Sequence, residues 1–296
     1  MKQKSWMPIY LLLGLVWGSS FVLIKLGLEF LTPVGVAFGR CALGAMTLLL
    51  IVKIRNIKLP SDPKTWFILW VVSLLLNVLP GFLFAFAQQR VTTVLAGIIN
   101  AFTPLATLIF IIIIFRSEKI KSEQITGLAI GAIGVIVVLG VWNGVGSGSG
   151  IGILALFGAI TCYGLSYPII KKYLIPLNLK AEALAARQVT AGALTLLPFY
   201  LMNGIAKDEY RAGPILAMMA LGIFGSGLAY IWNFQIVERA GSPIASTVTY
   251  LTPVVAVFIG WIFLGENITW HEPVGGAIVI LGAAISQGRF NKKVPK

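Results

Sequence analysis

Ten apolar runs of about 20 residues follow one another along this chain, joined by loops too short to fold on their own. They occupy residues 8–28, 33–52, 65–86, 93–115, 124–142, 151–171, 181–202, 214–235, 243–264 and 273–288. A lipid core offers no partner to a backbone N–H or C=O, so runs of this length must be helices that satisfy themselves internally. The chain is 58% hydrophobic and 11% charged, where soluble domains carry roughly 25% charged residues. The expectation is an all-α membrane protein with ten transmembrane helices and little outside the bilayer. Lys2 and Lys4 before the first run give it the look of a secretory signal. Its apolar length of about 20 residues suits a spanning helix better than a cleaved core of roughly 7–15.

A formal net charge of +13 raises nucleic acid as a partner, but the basic residues stand in short clusters between the runs. They are topology signals, and no nucleic acid is expected. With the N-terminus inside, seventeen loop and terminal lysines and arginines fall on the cytoplasmic side, against Arg90, Lys207 and Arg211 on the other. The expectation is a multi-pass protein of a prokaryotic cytoplasmic (inner) membrane with both termini cytoplasmic. Cys41 and Cys162 both lie inside apolar runs and read as packing residues, and His271, in a short loop, is the one histidine. No metal site and no cofactor is expected.

The two halves repeat each other. Trp17-Gly18-x-Ser20 aligns with Tyr163-Gly164-x-Ser166, Arg40 with Arg187, Asn77 with Ser226, and Thr103-Pro104 with Thr252-Pro253. Each half closes on a shared pattern, from Glu118 to Gly134 and from Glu266 to Gly282, and the offset stays between 146 and 149 throughout. Residues 1–142 form one unit, 143–150 (NGVGSGSG) a flexible linker and 151–296 a second unit with a basic tail. Five spans is an odd number, so the second unit enters the membrane upside down. Inverted five-helix repeats place a substrate site near the midplane where the halves meet.

WGSSFVLIK in the first span, Arg40 in the second, the mid-helix Thr-Pro of the fourth and the E-x-I…G-x-A-I…G pattern closing each half together resemble the drug/metabolite transporter superfamily, and within it the ten-helix EamA branch. The resemblance covers nearly the whole chain. It implies export or exchange of amino acids, nucleobase-like compounds or other small metabolites. Four-helix multidrug exporters of that superfamily use a glutamate in the first span, where this chain has Trp17, Ser19 and Ser20. That departure argues against proton-coupled export of cationic drugs.

The Thr-Pro turns are the first candidates for the path. Pro104 and Pro253 each remove a helical N–H and free the carbonyl four residues back, that of Asn100 and that of Thr249. Helical spacing gathers Thr93, Gly97, Asn100, Thr103 and Thr107 on one stripe, and Ser242, Ser246, Thr249 and Thr252 on its counterpart. Such a stripe either faces a wet cavity or lets helices pack closely while hydroxyls mend the proline defect. Asn77 is a cavity residue or an interhelical hydrogen bond. Trp17 and Tyr163 with Ser20 and Ser166, joined by Tyr167, Tyr230 and Tyr250, either stack on a substrate or fill volume between helices. Arg40 and Arg187 stand about seven residues into their spans, roughly 10 Å at 1.5 Å per residue. Either they bind a carboxylate or phosphate or, as their symmetric placement favours, they serve a structural or gating role. Spans five and ten, rich in glycine, read as scaffold.

No nucleophile with a base and no deep carboxylate lies in the spans, so an enzyme is not expected. The leading reading is a secondary transporter that moves a small metabolite, an amino acid or related compound, by alternating access as an exporter, facilitator or exchanger. A proton-coupled multidrug or organic-anion exporter is the alternative, and a channel or receptor the remote one. The expected partners are a small-molecule substrate and the lipid bilayer. Monomer and homodimer are equally compatible with the sequence.

Overall fold

The computed structural model describes residues 6–91, 93–116, 120–138, 142, 150–206, 211–264 and 270–286. The first half folds into α1 (Met7–Gly27), α2 (Pro33–Ile54), α3 (Pro63–Gln88), α4 in two pieces (Thr93–Asn100 and Thr103–Phe115) and α5 (Ser122–Val138). The second half folds into α6 (Gly150–Leu177), α7 (Ala181–Asn203), α8 (Ala212–Ala240), α9 in two pieces (Ser242–Ser246 and Leu251–Leu264) and α10 (His271–Ser286). Five of these, α1, α2, α3, α6 and α8, are long and apolar enough to cross a membrane by length and composition alone. Glu118, Glu266 and residues 143–149 of the linker lie outside the described residues.

Local chemistry sets the helix ends. Pro33 and Pro63 stand in the first helical turn, where a missing N–H costs nothing. Thr32 caps α2 by accepting from Gly35 N–H at 3.1 Å, and Asp62 caps α3 by accepting from Thr65 N–H at 2.7 Å. Three boundaries differ from the hydropathy reading. α6 and α8 run past their apolar stretches to Leu177 and Ala240, because backbone hydrogen bonding continues where hydropathy falls. His271 opens α10 instead of sitting in a loop, edge-on to Trp142 at 5.7 Å and to Trp270 at 5.9 Å.

The halves interlock by exchange. α1 packs along α8 and α9, while its repeat mate α6 packs along α3 and α4; α2 packs on α8, and its mate α7 on α3. Three mate pairs, α2 with α7, α4 with α9 and α5 with α10, pack on each other directly. Glycines open these seams. A Cβ on Gly18 would lie 2.5 Å from Val255 Cβ, and one on the mate Gly164 would lie 2.6 Å from the Cβ of Ala106, the mate of Val255. Along α5 and α10 a Cβ on Gly134 would meet Val279 N at 2.6 Å, and one on Gly127 would run into the Ser286 backbone. Lipid provides no hydrophobic force between helices, so close approach of this kind supplies much of their association through van der Waals contact.

Two of the four π-helical stretches among the described residues are symmetry mates. Leu74–Val78 within α3 and Leu221–Leu228 within α8 are wound wide, and they hold the mates Asn77 and Ser226. Widening a helix loosens its carbonyls, which then take partners elsewhere, and such segments gather at functional sites.

Candidate functional site

The interlocked halves surround a cavity of about 50 Å³. A water needs roughly 10–15 Å³, so the space as it stands takes a few waters. Trp17, Ser20, Arg40 and Asn100 line it from the first half, and Tyr163, Tyr230 and Thr249 from the second. Phe21, Ile24, Leu76, Phe84 and Tyr167 are also in the wall.

The loosened carbonyls around the cavity are met by side chains. Trp17 Nε1 donates to Gly225 O at 3.2 Å, and Tyr230 Oη donates to Leu76 O at 2.8 Å. Gly225 and Leu76 are repeat mates inside the two π segments, so equivalent defects are each capped by an aromatic residue of the cavity wall. The prolines are treated alike. Thr103 Oγ1 donates to Asn100 O and Thr252 Oγ1 to Thr249 O, both at 2.7 Å. The helix breaks at Ala101 and Phe102 in the first copy and tightens to a 3₁₀ turn at Thr247–Tyr250 in the second. Across the interface Asn100 Nδ2 donates to Thr252 Oγ1 at 3.3 Å, tying one Thr-Pro turn to the other.

Several sequence candidates sit away from the wall. Asn77 Oδ1 accepts from Gln188 Nε2 at 2.6 Å, an interhelical bond between α3 and α7. Ser166 Oγ donates to Tyr163 O at 2.7 Å. Tyr250 turns to α5, where its hydroxyl donates to Leu128 O at 2.8 Å and its ring fills the space that Gly131 leaves. Thr103, Pro104, Thr252 and Pro253 are buried. Within the wall, Trp17 and Tyr230 meet edge to face at 6.0 Å, and Tyr163 stacks on Phe84 at 5.8 Å.

The two arginines part company. Arg40 is 6% exposed, lines the cavity and donates from Nε to Ser226 Oγ at 2.8 Å. Arg187 is half-buried, with its guanidinium 4.3 Å over the Trp66 ring. Sequence reasoning missed Phe21, Ile24, Leu76 and Phe84 in the wall and Gln188 behind it. The four apolar residues carry no signal among so many others, whereas Gln188, an amide next to Arg187 within a span, was open to the same argument as Asn77.

Duplicated helical halves closing on one shared cavity mark a class, the multi-pass membrane proteins built from an internal repeat. The chain belongs to the EamA-like transporter family, which it matches twice, over residues 4–140 and 150–287. It is a membrane transporter and not an enzyme. Among its relatives it is 27% identical over 301 residues to an uncharacterized inner membrane transporter of Escherichia coli (strain K12), YedA, covering 98% of this chain and 94% of that one. It is also 27% identical to the uncharacterized transporter YdfC of Bacillus subtilis (strain 168), over 95% of this chain and 90% of the relative. A solved crystal structure shares the fold with a TM-score of 0.75 at 16% identity, covering 95% of this chain and 97% of that one.

Proposed function

We propose that the chain is a secondary transporter that carries a small metabolite across the inner membrane by alternating access, as a facilitator or exchanger driven by the substrate gradient. The observation that supports this reading is the small cavity at the pseudo-symmetric interface, lined by both halves. Units 1–142 and 151–296, joined by the 143–150 linker, rock against each other to expose the cavity to either side, with both termini cytoplasmic. The inner membrane location rests on the Escherichia coli relative, itself an inner membrane transporter.

Substrate-gradient driving rests on where the acids lie. Proton-driven carriers depend on titratable groups within the membrane. Among the described side chains no Asp or Glu is buried, Glu29 and Glu238 are exposed, and Glu182 pairs with Arg55 at 2.9 Å. Counterflow into proteoliposomes, run against a panel of labelled metabolites with and without an imposed pH gradient, tests both parts. Saturable flux accelerated by substrate on the far side, and indifferent to the gradient, is the expected result. Absence of saturable flux would overturn the carrier, and flux only with the gradient would overturn the driving force.

A further inference from the structure

Among the described residues one formal charge lines the cavity, that of Arg40, and it is positive. Arg40 is buried in its wall, and its hydrogen bond is made by Nε to the neutral Ser226. Among the described residues neither terminal guanidinium nitrogen has a protein acceptor, and no acid lines the space. Tyr163 and Tyr167 line the same cavity, and their hydroxyls also make no hydrogen bond among the described residues. The neighbouring hydroxyls of Ser20, Thr249 and Tyr230 have each given their proton to a backbone carbonyl. Asn100 Oδ1 lacks a partner among the described residues but is enclosed by protein, with no surface facing a ligand.

An unpaired buried charge is costly, and pairing it with an opposite charge recovers part of that cost. A guanidinium with two open terminal nitrogens fits a two-oxygen anionic head in a forked arrangement. Trp17, Phe21, Ile24, Leu76 and Phe84 offer the rest of the ligand an apolar and aromatic wall. A cationic ligand meets Arg40 with no acid to offset it. A zwitterion brings a second positive charge that neutral hydroxyls alone must balance.

From this geometry we infer that the carrier takes small organic monoanions, an anionic head on Arg40 with an apolar or aromatic body against the wall. The inference deepens the transport reading, and only its flux arm depends on that reading. The test uses three ligands with the same phenylpropyl body and different heads, the sulfonate, which stays ionised and crosses lipid poorly, the primary amine and the alcohol, together with phenylalanine as a zwitterion of similar size. Calorimetry on the detergent-solubilised full chain measures binding, and counterflow in proteoliposomes measures flux.

Saturable sulfonate binding is expected, with the amine and alcohol weaker by about tenfold or more. Arg40→Gln should weaken the sulfonate roughly 10- to 100-fold while leaving the alcohol nearly unchanged, and Arg40→Lys should recover part of the loss. Amine or phenylalanine binding as tight as the sulfonate, no saturable sulfonate binding, or unchanged affinity in folded Arg40→Gln would each overturn the inference. The ligand series in the unaltered chain decides the matter even if that variant fails to fold. Counterflow of phenylalanine without the sulfonate leaves transport standing and removes the anion site. Saturable sulfonate binding without counterflow of any ligand does the reverse.

Discussion

Thr103 and Thr252 show how one residue type resolves the conflict that proline creates in a membrane helix. Each hydroxyl caps the carbonyl three residues before it, at 2.7 Å in both copies. Thr252 does more, because its oxygen also accepts from Asn100 Nδ2. Thr103→Ala should therefore lower stability by about 0.5–1.5 kcal/mol, and Thr252→Ala by more, since it strands an amide as well as a carbonyl. Thermal unfolding of the solubilised protein checks the order, with the serine variants as controls that keep the hydroxyl. Equal losses would mean that the link between the two turns contributes nothing. The Thr-Pro pairs and the freed carbonyls are legible in the sequence, but the cap and the cross-link depend on side-chain rotamers and on which helix lies opposite.

Helix packing turns on glycines at the seams. Gly18 admits α9 and Gly164 admits α4, each at a spot where a methyl group would meet the Cβ of Val255 or Ala106. Adding that methyl overpacks the seam at a cost of roughly 1–3 kcal/mol. Gly18→Ala is expected to lower the melting temperature, and Val255→Gly placed beside it should restore part of the loss. If the double variant is no better than the single one, the clash is not the cause. The glycine pair is visible in the aligned Trp17-Gly18 and Tyr163-Gly164 motifs. Its partner helix is not, because a repeat read along the chain does not say that the first helix of one half crosses to the other half.

Assembly of the two halves depends on that exchange. α1 and α2 lie against α8 and α9, and α6 and α7 lie against α3 and α4, so neither half encloses the cavity alone. Thr32 strengthens the joint between halves by donating to Asn203 O at 2.6 Å, while Ala206 N–H donates to Phe30 O at 3.0 Å. An inverted duplication with basic loops on one face predicts that both termini face the cytoplasm. Fluorescent-protein fusions at either end should be bright and alkaline phosphatase fusions inactive, since one folds only inside the cell and the other only outside. An active phosphatase at one end alone would refute an even number of spans, and activity at both ends would refute the orientation.

Run length, loop charge and the internal repeat are properties of the chain read in order, so amino-acid order alone dictates the helical membrane class, the two inverted halves and the positions of their breaks. It also marks Trp17, Ser20, Asn100, Tyr163, Tyr230 and Thr249, all of which line the cavity. Which repeat mates share a fate is settled by packing. Arg40 and Arg187 are equivalent in sequence, yet one faces the cavity beside Ser226 and the other lies over Trp66. A buried charge takes its character from its neighbours, and Ser226 stands 186 residues from Arg40 along the chain. Contacts at that separation come from how helices meet in space, which periodicity along the chain does not encode.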